Sequence, residues 1–423
     1  MIAVQIPVRF LIWPQYIYYT MSFGVYEWLK NYISIHRIIS RSEHFFCLKY
    51  TDSLSLLTNL KVLYIHSLES NDQFKSLAEA CPLLEVFECA DGVTDVGLEH
   101  LCSLQKLKCV YVGRMKNRNR TLGGRLKNVL MNRSLTPFGI ASFLKNCRNR
   151  IQRLKELHSH DRVMVDAVNS LSFENHVIPS LKHLECRDTD FMTPILPVAL
   201  TVFPSVECLY WHLGEGENFQ NRLEMIIKFR KMFHVNMTVT HLKVIVFESC
   251  YMNQNEINEM LQFINIVFPK VISLEFVVRS DGSKSNIESS LIFPLIQNLY
   301  FRSTFAMSAF LFPGNCIKVF HIYNHKLFTN RRYNKYVKNL TEVEEINYSR
   351  YEVLSVDTAK DIIDNIIKFL PCLRVFKFRC LITKYNVVRL LFLLRNTSRI
   401  NFIIDTCPPK LGRWDILNKY MFL

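Results

Sequence analysis

The sequence is short of the residues and motifs that mark most enzymes and disordered chains. Glycine and proline number only 12 and 14 among 423 residues, and charged residues make up 21%. This composition argues against long disordered tracts. No P-loop, H-E-x-x-H, G-x-S-x-G or paired-cysteine metal motif is present, so we do not expect an enzyme. Hydrophobic residues make up 49% of the chain, which is ample for a large core.

The cysteines lack the arrangement that secreted proteins use. Their number, 13, is odd, and they are scattered without a C-x-x-C pair, whereas a disulfide framework is even and clustered. We therefore expect reduced thiols that act as small buried hydrophobic side chains, and a cytoplasmic or nuclear location. The densest group of ligand-type residues is His158-Ser159-His160-Asp161. Its spacing supplies no third and fourth ligand, so neither a metal nor a cofactor is predicted.

The N-terminus contains no long uninterrupted hydrophobic run. Pro14 and Gln15 break the apolar stretch of residues 10–25, whereas a membrane-spanning helix needs about 20 mostly apolar residues. A membrane anchor is therefore the less favoured interpretation. Residues 1–8 carry no positive charge, which argues against a signal peptide. Because the open end of a repeat array must be covered, we expect residues 1–53 to form a hydrophobic helical cap.

Acidic residues are missing from one part of the chain. The formal net charge is +15, and residues 113–155 contain 12 Lys and Arg side chains but no Asp or Glu. The first half of this segment holds a basic patch of six residues: Arg114, Lys116, Arg118, Arg120, Arg125 and Lys127. Charge blocks of this kind form solvated loops or dock acidic proteins. Nucleic acid is a less favoured partner because no stacking aromatics are interleaved in residues 113–137.

What is present is a repeating unit, clearest in residues 81–112. Leu84, Phe87 and Cys89 follow an L-x-x-F-x-C spacing, and Leu107 begins the same pattern 23 residues later, with a helical pattern between them. A strand plus a helix repeating every 20–29 residues indicates leucine-rich repeats. The sequence therefore predicts an α/β leucine-rich-repeat solenoid, a horseshoe with a parallel concave sheet, over residues 54–423.

The unit recurs along the chain with spacings of 21–47 residues. The predicted units begin at Leu60, Leu84, Leu107, Leu154, Leu181, Val206, Leu242, Val271, Ile296, Ile317, Val343, Leu373 and Ile400. Apolar residues at helical spacing predict helices over residues 255–268 and 357–370, the second with Ser355 as N-cap. The longest spacing predicts a basic insert, residues 113–134, and such inserts fall on loops of one face.

The residues between the core positions of each strand are expected to line the concave face. They comprise Tyr64, His66, Tyr111, His158, Tyr210, His212, Tyr300, Arg302, His321 and Lys377. Tyr and Arg are enriched in binding hot spots, which favours a site for a protein partner on this face. The alternative is that β-rich faces carry tyrosine for its strand propensity alone.

One stretch carries a family resemblance. Cys81-Pro82-Leu83-Leu84-Glu85-Val86-Phe87 followed by Val93-Thr94-Asp95-Val96-Gly97-Leu98 resembles the cysteine-containing repeats of F-box proteins. The resemblance implies substrate recognition for an SCF-type ubiquitin ligase, with an N-terminal F-box that holds the SCF adaptor. Residues 1–50 contain Ile6-Pro7 and Trp28 but not the pattern of an F-box between them. The alternatives are a free-standing protein-interaction scaffold and a nucleic-acid-binding protein that uses residues 113–155.

Overall fold

The structure is a computed structural model of the 423-residue chain. It describes residues 17–19, 37–40, 58–68, 70–91, 93–112, 135–158, 162–188, 194–214, 227, 230–246, 251–252, 254–280, 295–303, 317–323, 342–353, 355–381, 384–394 and 399–405. The chain divides into two compact units, Met1–Tyr210 and Trp211–Leu423. The prediction that residues 54–423 form one array stays a prediction.

The first unit is a parallel sheet whose strands follow one another in sequence order. Its strands are β1 Ile17–Tyr19, β2 Arg37–Ser40, β3 Val62–Ser67, β4 Val86–Asp91, β5 Cys109–Val112, β6 Arg153–His158, β7 His183–Asp188 and β8 Cys208–Leu213, the last of which crosses the boundary. Its helices are α1 Asn71–Ala80, α2 Asp95–Leu101, α3 Pro137–Asn146, α4 Arg162–Phe173 and α5 Leu196–Val202.

The second unit repeats this plan, with parallel pairing throughout its described strands. Its strands are β9 His241–Val246, β10 Tyr251–Met252, β11 Ser273–Ser280, β12 Asn298–Ser303, β13 Val319–Tyr323, β14 Glu345–Val353, β15 Val375–Leu381 and β16 Asn401–Asp405. Its helices are α6 Gln254–Val267, α7 Val356–Phe369 and α8 Lys384–Leu394. Short β10 pairs only with β11, and the other strands are ordered as in the sequence.

The leucine positions of the repeats form the core. Leu60, Leu84 and Leu107 are 0% exposed, and Phe74 of α1 meets Phe87 of β4 edge-on with ring centroids 6.1 Å apart. In this way α1 buries apolar side chains against the core of the strands, which removes nonpolar surface from water and stabilises the fold. The predicted α/β leucine-rich-repeat solenoid with a parallel sheet is confirmed. The two predicted helices occur as α6 and α7, and Ser355 caps α7 by accepting a hydrogen bond from Thr358 N at 3.1 Å.

The strand pairing corrects three predicted unit boundaries. Leu154 lies opposite Val110 and Leu184, which are second core positions. Its unit therefore begins at Ile151, which is 1% exposed. Leu242 pairs with Leu274, another second core position, so that unit begins at Val239.

The third correction concerns the last strand. Phe402 pairs with the second core position Phe376, so the first position of that unit is one residue before the predicted Ile400. In β6 the pairing with β7 shifts between Leu154 and Leu157, which is the mark of an inserted residue.

The Thr-x-x-Gly signature of the repeats has a physical explanation. Thr94 Oγ1 accepts a hydrogen bond from Gly97 N at 3.0 Å, and Thr136 does the same for Gly139 N at 3.1 Å, so both threonines cap helices. A Cβ on Gly97 would lie 2.9 Å from the ring of Phe74. Glycine is therefore required for the close packing of α1 on α2.

Most of the predicted helical cap, residues 1–53, lies outside the described residues. The two described segments within it, β1 and β2, are strands that pair in parallel. Residues 10–25 are likewise undescribed apart from β1. Over the ranges that the structure describes, no helix combines the length and the hydropathy that crossing a membrane requires.

Candidate partner-binding face

One face of the sheet exposes alternate strand residues. In β7 and β8 buried residues alternate with half-buried ones, as a period of two requires. Glu185 and Arg187 on β7 and Tyr210 and His212 on β8 belong to the half-buried set. We call the face that carries this set the open face.

In the second unit, strand pairing lines up seven open-face positions across neighbouring strands. We call this set the central row: Lys243, Glu275, Tyr300, His321, Asn347, Lys377 and Ile403. Lys243 at one end is 7% exposed and Ile403 at the other is 44% exposed, while Glu275, His321, Asn347 and Lys377 are half-buried. The end formed by β14, β15 and β16 is therefore the accessible end of the row.

The structure brings several of the predicted site residues together. In the central row, Tyr300 lies next to His321. Asn347 follows His321, and Lys377 follows Asn347. In the first unit, Tyr64 and Tyr111 flank Glu88 in the same way. His158 pairs with Arg187, so it lies one open-face position further along its strand than the predicted register implies.

Other predicted positions are defined only by the backbone. The side chains of five predicted site residues lie outside the described part: His66, Tyr111, His158, Tyr300 and Arg302. The basic patch, Arg114 to Lys127, and the whole insert of residues 113–134 are also outside the described residues. Their proposed roles therefore stay predictions.

Glu345 is the hub of a polar network at the accessible end. Its Oε1 accepts hydrogen bonds from Lys377 Nζ and from Asn347 Nδ2, both at 2.7 Å. Burial raises the pKa of the Glu345 carboxyl, but the hydrogen bonds from Lys377 and Asn347 outweigh it and hold the pKa below its usual value. Glu345 is therefore ionised at neutral pH and keeps Lys377 in a fixed position.

His321 extends this network while remaining uncharged. Asn347 Nδ2 lies 3.4 Å from His321 Nε2, an arrangement in which the amide donates and the ring nitrogen accepts. Burial lowers the pKa of His321 to about 4, opposed by Glu345 and assisted by Lys377. At neutral pH the ring is therefore a neutral hydrogen-bonding group rather than a cation.

The low pKa of His321 should appear in the pH dependence of stability. The folded-state pKa of about 4 lies below the ordinary value of 6.5, so the unfolded chain binds the proton more tightly. The stability that this group contributes is present above pH 6.5 and is lost as the pH falls towards 4, by up to about 3 kcal/mol. Urea unfolding of the wild type and His321→Gln from pH 7 to 4 should show a flatter profile for the variant. Parallel profiles would contradict the assignment.

The buried end of the central row contains an ion pair. Lys243 Nζ lies 2.8 Å from Glu275 Oε1, and the two side chains are only 9% and 17% exposed. Two charges taken out of water in this way are stable only when they remain paired. The pair therefore fixes β9 against β11 and is a structural part of the row.

The sequence interpretation missed Lys243, Glu275, Glu345 and Asn347. With Leu242 taken as the first core position, Val246 would have faced outward, whereas it is 5% exposed. The correct start at Val239 places Lys243 in the row. Within the described ranges no cluster of three or more His, Cys, Asp or Glu residues is arranged to hold a metal ion.

No protein-family model matches the chain, and no curated protein matches it. Among solved structures 29 chains are similar. One of them, the crystal structure of the Rad7 and Elc1 complex in yeast, is 13% identical with a TM-score of 0.40, and the similarity covers 84% of this chain and 83% of that chain.

Proposed function

We propose that this protein is a protein-binding scaffold that recognises its partner on the open face of the sheet. The observation that carries this proposal is the central row, in which aromatic and charged positions of successive parallel strands lie side by side. Its accessible end is held by the Glu345 network, so little side-chain freedom is lost when a partner binds. Aromatic residues are enriched in protein interfaces, which also carry direct hydrogen bonds, so the residue types of the row suit a protein partner.

We further propose that the partner is a substrate of an SCF-type ubiquitin ligase. This step rests on the resemblance of residues 81–98 to the repeats of F-box proteins, and it assigns adaptor binding to residues 1–50. A cytoplasmic or nuclear location, suggested by the scattered cysteines, is consistent with that role. A free-standing scaffold without ligase coupling would use the same open face.

The ligase coupling can be tested with the full chain as bait. A tagged protein is recovered from extract of its own cells, beside a variant that lacks residues 1–50, and bound proteins are identified by mass spectrometry. Recovery of the SCF adaptor and cullin by the full chain alone would support the proposal. Their absence from a folded bait that retains other partners would leave the free-standing scaffold.

The basic patch provides a second contact in this proposal. Its six cations would attract an acidic protein segment, and the distance over which they attract it shortens as the ionic strength rises. Nucleic acid stays the less favoured occupant, because the patch has no interleaved aromatics for base stacking.

Charge reversal on the open face should weaken partner binding. Lys377→Glu places a carboxylate beside Glu345, and we expect the affinity for the captured partner to fall at least about tenfold, as for a hot-spot residue. Lys360→Glu is the matched control: Lys360 on α7 is 37% exposed beside Asp364, compared with 44% for Lys377 beside Glu345. Titration calorimetry with the purified partner compares the two variants. Equal losses for both would exclude the open face as the site.

A further inference from the structure

Two cysteines from neighbouring repeats lie next to each other at the ends of their helices. Cys102 is the C-cap of α2 and Cys147 is the C-cap of α3. The Sγ of Cys147 lies 3.9 Å from the Sγ of Cys102. Cys147 is 0% exposed, whereas Cys102 is half-buried. The pair therefore combines a half-buried cysteine with a fully buried one.

A fixed guanidinium accompanies the pair. Arg150 Nη2 lies 3.4 Å from Cys147 Sγ and donates to the carbonyl of Cys102 at 2.9 Å. Its Nη1 donates to the carbonyl of Leu104 at 2.7 Å. These carbonyl contacts hold the cation beside Cys147 Sγ and the backbone of Cys102, so the charge is a fixed part of the site.

The two thiols differ in acidity as a result. The hydrogen bond from Cys147 lowers the pKa of Cys102, burial opposes the shift, and the charge of Arg150 adds to it. The hydrogen bond to Cys102 and burial raise the pKa of Cys147. The half-buried Cys102 is thus the better nucleophile and the buried Cys147 retains the proton, because the thiolate is the reactive form of cysteine.

We propose that Cys102 and Cys147 form a dithiol oxidation site that a hydroperoxide converts to a disulfide. The Cys102 thiolate attacks one oxygen of hydrogen peroxide, the O–O bond breaks, and the products are a sulfenic acid and hydroxide. The Cys147 sulfur then attacks Cys102 Sγ and expels the sulfenic oxygen. The sulfenic oxygen takes the proton of Cys147 and leaves as the first water. The hydroxide from the first step takes a proton from solvent and becomes the second water. Overall, two thiols and one peroxide give one disulfide and two waters.

The geometry makes the second step short. A disulfide bond is about 2.05 Å long, so the two sulfurs must approach by roughly 2 Å. Cys102 is the half-buried partner and Cys147 the buried one, so the approach is assigned to the side chain of Cys102. The product would link two repeats covalently on either side of residues 113–134, which hold the basic patch.

The other described cysteines supply the comparison. Burial raises the pKa of Cys81 to about 12, and it also raises the pKa of Cys208. Cys372 is exposed. If exposure alone governed oxidation, Cys372 would react first, whereas the proposed site makes Cys102 the first to react.

The test is peptide mapping of the full-length protein after treatment with hydrogen peroxide. We expect a linked peptide pair that contains Cys102 and Cys147, lighter by two hydrogen atoms and separated again by a reducing agent. Cys147→Ser should lose the linked pair and instead give a sulfenic acid at Cys102 that dimedone traps. Cys102→Ser should lose both products.

Cys208→Ser is the matched control, since Cys208 is also half-buried in the same unit, and it should leave the linked pair unchanged. The proposal would be overturned if the wild type kept both thiols reduced while Cys372 was oxidised. A linked pair that forms equally with other cysteines would overturn it as well. Both of these outcomes are measured on the wild type, so they remain decisive even if a serine variant does not fold.

Discussion

Trp211→Ala is expected to destabilise the second unit by about 3–5 kcal/mol, the usual cost of removing a large buried aromatic side chain. Trp211 is 0% exposed, and its ring centroid lies 6.0 Å from that of Phe233 and 5.7 Å from that of Phe263. Phe263 in turn meets Phe233 at 5.1 Å and Phe268 at 6.3 Å. Alanine would leave a cavity in the centre of this cluster. The lost stability combines the free energy of burying the indole ring with the cost of that cavity.

Urea unfolding followed by circular dichroism measures this effect. Phe392→Ala on α8 of the same unit is the control, since Phe392 is 58% exposed, and it should cost less than about 1 kcal/mol. If the two variants unfolded at the same urea concentration, the aromatic cluster would not be the core of the second unit.

Glu275→Leu is expected to destabilise the protein by about 3 kcal/mol, since removal of one partner from a buried ion pair leaves the other charge uncompensated. The remaining charge would be Lys243, which is 7% exposed. The double variant Lys243→Met with Glu275→Leu removes both charges and should recover most of the loss, because hydrophobic replacement of a buried pair is often neutral.

A surface pair of the same chemistry gives the reference for this experiment. Lys182 Nζ and Glu207 Oε1 are 2.6 Å apart, but the side chains are 41% and 51% exposed. Glu207→Leu should therefore cost less than about 1 kcal/mol. Denaturation midpoints of the four proteins decide the question, and a double variant as unstable as Glu275→Leu would show that the charges themselves are not responsible.

The sequence predicts the repeats because the residues that recur with the repeat period are the buried ones. Leu60, Leu84 and Leu107 mark successive strands, and each is fully buried. The register fails where two patterns fit the same segment. Around Val239, both Val239-x-x-Leu242-x-Val244 and Leu242-x-x-Ile245 satisfy the repeat, and only strand pairing distinguishes them. At Leu154 the ambiguity arises from a bulge, which no hydrophobic pattern reports.

The site was less predictable because its contacts cross between repeats. Lys377 and Glu345 are 32 residues apart, and their hydrogen bond depends on the pairing of β14 with β15. A hot-spot rule that favours Tyr and Arg selects Tyr300 and overlooks Glu345 and Asn347. The thiol pair, by contrast, had a sequence signal: Cys81, Cys102 and Cys147 all end helices of consecutive repeats, and equivalent positions in neighbouring repeats are adjacent in space.

Asp95 connects α2 directly to α3 across the insert. Its Oδ1 accepts from Thr136 N at 2.8 Å and its Oδ2 accepts from Thr136 Oγ1 at 2.6 Å. Residues on either side of positions 113–134 therefore contribute directly to the stacking of the two repeats. A doubling of loop length costs only about 0.6 kcal/mol in closure entropy. A longer connection at positions 113–134 would therefore cost little closure entropy while the Asp95–Thr136 contact stays in place.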